Sequence, residues 1–276
     1  PPGDIRNCLV ALSDAEKLMG DLFHHRFMNG SLEGHSFGNL LITALTQTTG
    51  SFEKAIHEVG GILKIKGNVL PSSHENVHIC AEFSDGKVIK EEDNIIDRHN
   101  SKVHLRPRIK KVFLTKPVSA CGGAVDAILE ADVVVIGPGS LFTSVITNLL
   151  VEGIKDAIVK SKAKKVYVCN IMAQPSQTYG FTASEHVAEV VKYLGDDVLD
   201  YIILNNEKPP KKLLKLYEKD HSPMVIVDRE GLKTFKGKKI EADIVEDVKE
   251  IKVLWNKKNL LRHDSDKIAK IIVDLV

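Results

Sequence analysis

"VVVIGPGSLFTSVITNLL", residues 133–150, decides how the chain is read. An apolar run enters Gly137-Pro138-Gly139-Ser140, and a second apolar pattern follows with Thr143 and Ser144 inside it. The first run fits a strand covered on both faces, the second a helix. In open α/β sheets, ligands lie beyond the carboxyl ends of strands, where the next helix presents unpaired N–H groups and positive partial charge. The Gly139 and Ser140 amides are thus placed to face a phosphate, with the Thr143 and Ser144 hydroxyls one helical turn away. An ordinary turn with Ser140 capping its own helix fits equally well on local grounds. The motif lacks the Gly-Lys-Ser/Thr of a Walker loop and is not the Rossmann fingerprint.

The flanks repeat the alternation. Helices are expected at 121–130, at 141–161 with a break near Glu152-Gly153, and at 183–194; extended segments are expected at 132–136, in "KKVYVCNI" and in "VLDYIILNN". Strands alternating with helices indicate a mainly parallel α/β sheet. Upstream, residues 5–28 carry helical spacing with Ser13 a cap that splits it into two helices, a further helix is expected at about 38–48, and Thr49-Gly50-Ser51 caps another that stops at Gly60-Gly61. "GILKI", "VHICAEF" and "KKVFL" read as strands. Past Glu207 the texture is Lys-rich, with short strands such as "MVIVD" and a closing helix from Asp264 to Leu275. The organisation expected is a nucleotide-binding core at 1–206 and a C-terminal α/β extension at 207–276 on the same core.

Bulk composition narrows the partners. The chain has 276 residues, with Lys plus Arg at 38 and Asp plus Glu at 37, so a net charge of +1 provides no general field for nucleic acid. The lysines of 208–219 read as the solvated face of an amphipathic helix, without the aromatic interleaving of a base-stacking surface. Four scattered cysteines form neither a disulfide framework nor a zinc site, and no apolar run reaches the roughly 20 residues of a membrane span. No nucleic acid, no membrane insertion and a cytoplasmic location are expected.

Four other polar loops could carry chemistry. "PPGDIRN" (1–7) sets Arg6, a guanidinium able to clamp a diphosphate, beside Asp4, a candidate N-cap. "EGHSFGN" (33–39) places His35 and Asn39 among glycines before a helix, a geometry that suits either ligand approach or a simple cap. "GNVLPSS" (67–73) reads as a surface turn or a binding loop. "CNIMAQPSQTYGFTASEHV" (169–187) follows a strand with Asn170 and Gln174 where binding residues are expected, and His186 reads as a structural histidine of the next helix. No Ser-His-Asp, Cys-His or metal-ligand spacing is legible.

Together "PPGDIRNCLVAL", "GHSFGNLLITAL", "GNVLP", "ADVVVIGPGSLFTSVITNLL", "VYVCNIMAQPSQTYGFTASEHV" and the late "RHD" at 262–264 resemble the CofD-like superfamily, and within it the YvcK-type gluconeogenesis factors. The resemblance spans nearly the whole chain. It implies a three-layer α/β/α Rossmann-like fold, a UDP-sugar ligand such as UDP-N-acetylglucosamine, and a role in cell shape and morphogenesis under gluconeogenic growth. It implies that Arg6, His35, Asn39, Gly137, Gly139, Ser140, Thr143, Ser144, Asn170 and Gln174 line the ligand site. A relative, 2-phospho-L-lactate transferase, uses this scaffold for group transfer with magnesium, so a magnesium-dependent transferase is the alternative to a regulator without catalysis. Family members open with a strand, a G-G-G-T-G turn and an Asp-Asp-Gly-Gly segment; this chain starts at Pro1 without them, and an upstream segment is expected. Self-association and protein partners are left open.

Overall fold

The computed structural model describes residues 3–97, 100–247, 253–254, 257–258 and 261–276. The chain divides into two compact units, Pro1–Glu75 with Ala120–Ala124, and Asn76–Ser119 with Val125–Val276.

The first unit is helical. α1 (Gly3–Ala11), α2 (Lys17–His24), α3 (Phe37–Thr49) and α4 (Phe52–Leu63) enclose a core of Leu9, Phe23, Ile42, Ile56, Val59 and Leu63. Side-chain caps start two of them: Ser36 accepts from the Asn39 amide on α3, and Ser51 from the Lys54 amide on α4. Gly50, at φ +69°, ends α3 in the left-handed conformation that a glycine adopts without strain. Three expectations fail here. Ser13 does not cap α2, whose N-cap is Glu16; its hydroxyl donates instead to the Leu63 carbonyl at 2.9 Å. α4 does not stop at Gly60-Gly61 but runs to Leu63 and closes on Lys64 in the left-handed region. "GILKI" is therefore the last turn of a helix, with Ile65 in a single bridge to Ser13, and not a strand.

The second unit holds two sheets. β1 (Ile79–Phe83), β2 (Val88–Lys90) and β3 (Ile109–Leu114) form an antiparallel sheet in the order β2-β1-β3. β2 and the short α5 (Glu92–Ile96) lie in the charged stretch from Lys87 to Asp97. After α6 (Gly122–Glu130), the strands β4 (Val133–Ile136), β5 (Lys164–Val168), β6 (Tyr201–Asn205) and β7 (Lys238–Ala242) form a fully parallel sheet in chain order.

That sheet is the expected α/β core, with helices on both sides. Val166, Val168 and Ile203 pack with Ile268 of α11 (Ser265–Val273) on one face, while Tyr167, Ile202 and Leu204 point the other way and are equally buried. Burial on both faces is why these strands read as unbroken apolar runs. The connections are α7 (Thr147–Leu149) and α8 (Ile154–Lys160) between β4 and β5, α9 (Ala183–Leu194) before β6, and α10 (Lys211–Lys219) before β7. α9 starts on a capping box in which Thr182 accepts from the Glu185 amide and Glu185 accepts from the Thr182 amide. "MVIVD" forms no strand: Met224 and Ile226 make single bridges to Met172 and Thr182. Among the described residues, no helix is long and apolar enough to cross a membrane.

Candidate functional site

The carboxyl end of β4 turns through Gly137, a cis Gly137-Pro138 bond, Gly139 and Ser140. Gly137 has φ +77°, and a Cβ there would lie 3.1 Å from the Val168 carbonyl oxygen, so the turn itself demands glycine. Gly139 is different. Its φ is not positive, and a Cβ would meet only Val145 and Ser144 atoms at 3.5 Å and 3.6 Å, ordinary contact distances. Nothing within the turn requires a bare backbone at that position.

The helix after the turn departs from expectation. Leu141–Ile146 winds as a π-helix before α7, with Ser144 and Val145 both donating to the Ser140 carbonyl at 2.9 Å. Ser140 makes no side-chain cap, which removes the simple capping role considered for it. The capping is done from far along the chain: Gln177 Oε1 accepts from the Phe142 and Thr143 amides at 3.1 Å and 3.3 Å, and its Nε2 donates to Thr143 Oγ1 at 3.2 Å. Gln177 and Thr143 are both buried.

The loop after β5 grips the same turn. Asn170 Nδ2 donates to the Gly139 carbonyl at 2.8 Å, and the Gly139 amide approaches Asn170 Oδ1 at 3.5 Å. Gln174 Nε2 donates to Ser140 Oγ at 2.8 Å, while Gln174 Oε1 is buried with no partner among the described residues. A buried acceptor without a donor costs free energy, so this oxygen is the corner's unfilled valence. Gly137, Gly139, Ser140, Thr143, Asn170 and Gln174 thus come together in one cluster, with Ser144 adjoining it through its amide. Among the described residues, no side chain engages the Ser140 or Leu141 amide.

Neighbouring groups hold this loop. His263 Nε2 donates to the Cys169 carbonyl at 3.2 Å, which ties the "RHD" segment to the end of β5. Burial pushes the Cys169 thiol up to about 12, so it is no nucleophile near neutral pH. His186 is fully buried on α9, with Nδ1 on the Thr182 carbonyl at 2.9 Å, and burial lowers its pKa.

Arg6 and Asn39 form a second cluster, in the first unit. The buried Arg6 donates to Ser36 Oγ at 2.6 Å, to Asn39 Oδ1 at 3.2 Å and to Asn7 Oδ1 at 2.9 Å. Burial, and then the charge of Arg26, lower its pKa, with Asp4 opposing them. Gly38 makes room: a Cβ there would sit 2.8 Å from both Arg6 Cδ and the Phe23 carbonyl oxygen. Asp4 lies in the first turn of α1. His35 is exposed, and among the described residues no hydrogen bond joins its side chain to this cluster. "GNVL" lines a separate cleft of about 330 Å³ with Glu53, Ile56 and Gly61. Ser36 and Gln177 stand in the polar loops at 33–39 and 169–187 but outside the expected ligand set, and both turn out to hold the clusters together. Among the described residues, no three His, Cys, Asp or Glu side chains converge as a metal-binding set.

Known proteins resemble this chain over its whole length. The family model described as 2-phospho-L-lactate transferase CofD matches residues 1–245. A relative from Aquifex aeolicus is 42% identical over 281 residues, covering 100% of this chain and 80% of its own length. The gluconeogenesis factor of Bacillus subtilis is 40% identical over 278 residues, covering 100% of this chain and 83% of its own. The crystal structure of protein BH3568 from Bacillus halodurans superposes with a TM-score of 0.89 at 40% identity, covering 99% of this chain and 83% of that one.

Proposed function

This chain belongs to the CofD family and stands within it beside the gluconeogenesis factors, and from that membership we propose that it is a regulatory protein that binds a nucleotide sugar of the UDP-N-acetylglucosamine type. The supporting observation is Gln174 Oε1, a buried acceptor without a donor at the mouth of the β4 turn. The ionised diphosphate of a nucleotide has no proton to offer it, whereas a sugar hydroxyl, an acetamido N–H or a base imide does. The Ser140 and Leu141 amides supply donors for the diphosphate, at the place where a parallel strand gives way to a helix. On this reading Gly139 lets the ligand approach the backbone, Ser140 and Gln174 contact it, and Asn170, Thr143 and Gln177 hold the turn in shape. The protein acts in the cytoplasm and supports cell shape during growth on gluconeogenic carbon sources.

Calorimetric titration with UDP-N-acetylglucosamine tests the reading. The wild-type protein should bind, and Ser140→Ala and Gln174→Ala should each weaken binding about tenfold, the worth of one lost hydrogen bond in a desolvated site. Unchanged affinity in both variants would remove the turn from the site, and no affinity in the wild type would sink the ligand. The transferase description of the matching family model favours a second reading, a magnesium-dependent transferase acting on a nucleoside diphosphate-linked donor. Release of free nucleotide from labelled UDP- or GDP-linked donors, with magnesium and candidate acceptors, would establish it.

A further inference from the structure

From Lys208 to Lys219 the chain carries five lysines against one acidic residue, Glu218, in a molecule whose net charge is only +1. The remainder of the chain is therefore net negative, and the positive charge is concentrated here. α10 arranges it: Lys211, Lys212, Lys215 and Lys219 fall within an arc of about 100° around the helix, with Lys208 just ahead of it. All five are exposed. The other side of the helix is covered, since Leu213 is buried and the Tyr217 hydroxyl accepts from the Leu261 amide at 2.6 Å.

Elsewhere in the molecule lysines find carboxylates: Lys66 meets Asp14 at 3.2 Å, Lys192 meets Glu189 at 3.0 Å and Lys236 meets Asp197 at 2.6 Å. Along α10 no lysine joins an ion pair among the described residues, although Glu207, Glu218 and Asp220 stand close by in the chain. The placement also works against the helix. Lys211 and Lys212 occupy its first turn, where the macrodipole is already positive, and no acidic residue there offsets them. Lys211, Lys215 and Lys219 repel one another at i,i+4 spacing. Only Lys219, in the last turn, suits the dipole. A face built merely for solubility intersperses the two signs; this one gathers a single sign, so its counter-charge comes from a partner. The residue types say which partner. Protein interfaces favour Trp, Tyr and Arg and are poor in Lys, and nucleic-acid surfaces use Arg forks and aromatic stacking. The lysine arc of α10 holds neither Arg nor an aromatic residue. An anionic bilayer asks only for a density of positive charge, which four or more lysines on one amphipathic helix supply.

We propose that α10 adsorbs to an anionic lipid surface, with its lysine arc against the phosphate headgroups and its apolar side still packed in the protein. The contact is electrostatic and reversible and involves no insertion, because Leu213 stays in the core. Each lysine held at such a surface raises the partition about fivefold. The attraction fades within a Debye length, so salt reverses it. Adsorption requires no nucleotide sugar and stands or falls apart from the ligand of the β4 turn.

Co-sedimentation of the whole chain with vesicles of about one part phosphatidylglycerol to two parts phosphatidylcholine, at about 0.05 M salt, tests this directly. The wild-type protein should pellet with these vesicles, should ignore vesicles of phosphatidylcholine alone, and should be released at about 0.5 M salt. The double variant Lys211→Ala, Lys215→Ala should partition more than tenfold less. The double variant Lys211→Arg, Lys215→Arg should match the wild type, because only charge is read. Lys233→Ala with Lys236→Ala removes the same net charge from lysines already paired with Glu230 and Asp197, and should change partition less than about twofold. The thermal midpoint of Lys211→Ala, Lys215→Ala should equal or exceed that of the wild type, since the repulsion and the clash with the dipole are relieved. A lower midpoint would show that these lysines serve the fold and would overturn the proposal. So would equal losses in the two alanine pairs, which make the attraction a property of overall charge. A wild-type chain that ignores the anionic vesicles but binds polyglutamate or RNA through Lys211 and Lys215 assigns the face to an acidic protein or a nucleic acid and overturns it as well.

Discussion

Gly137 and Gly139 stand two positions apart and are the same letter, yet the structure asks different things of them. Gly137→Ala puts a side chain at φ +77° and 3.1 Å from the Val168 carbonyl, which should lower the unfolding free energy by about 2 kcal/mol. Gly139→Ala meets only ordinary contacts and should change stability by less than about 0.5 kcal/mol, while lowering nucleotide-sugar affinity about tenfold. Urea unfolding and calorimetry on the two variants separate these effects; equal losses of stability would erase the distinction. That both glycines belong to a turn was legible from Gly-Pro-Gly after an apolar run. Which of them the backbone needs was not, because the answer lies in a carbonyl on the neighbouring strand. Arg6 teaches the same lesson from the other side. Its guanidinium was legible as a group able to clamp, but its protein partners Ser36, Asn39 and Asn7 were not, two of them lying 30 or more residues away.

At the scale of elements, legibility followed locality. α9 was readable to the residue, because its Thr-x-x-Glu box and its apolar period are written within 182–194. β5 and β6 were readable because burial on both faces leaves an unbroken apolar run, whereas β7, written KKIEA, has no such run. α4 was misread because two glycines look like a stop. One is a packing choice, since a Cβ on Gly60 would lie 3.0 Å from Ile65, and the helix continues past both. The π-helix at Leu141–Ile146 was beyond local reading, since the group that caps it arrives from Gln177, which donates to and accepts from Thr143 across 34 residues. Gln177→Ala should leave the Phe142 and Thr143 amides without their acceptor at a buried place and cost about 2 kcal/mol. Amide exchange at these two positions should quicken in step. Unchanged exchange would show that another acceptor takes over.

For the whole molecule, a buried and a half-buried histidine, His186 and His263, set the response to acid. Burial lowers the pKa of His186 and of His263 below the usual histidine value, with the Thr182 and Cys169 carbonyls opposing it. The folded chain therefore keeps both neutral where the unfolded chain, titrating at about 6.5, already takes up protons. More protons on the unfolded state means stability that is full above about pH 7 and declines as pH falls below about 6.5. Carboxylates such as Asp243, held low by the Lys267 ammonium, give up their share only at lower pH, below the ordinary carboxylate range near 4. Urea midpoints at about pH 7.5 and 5.5 should differ, and His186→Leu should narrow the gap; a midpoint that does not move between them would show that neither histidine stays neutral. The order of the parallel sheet has a consequence of its own. Because β4, β5, β6 and β7 are neighbours in the sequence in which they leave the ribosome, the growing sheet never waits for a distant strand. At each stage its newest strand is its open margin. When β6 emerges that margin carries Ile202, Ile203 and Leu204, as sticky a border as the fold contains, and only the arrival of Lys238–Ala242 closes it. The Lys-rich strand that comes last is thus the sheet's hem: it seals the border and turns charge to the water.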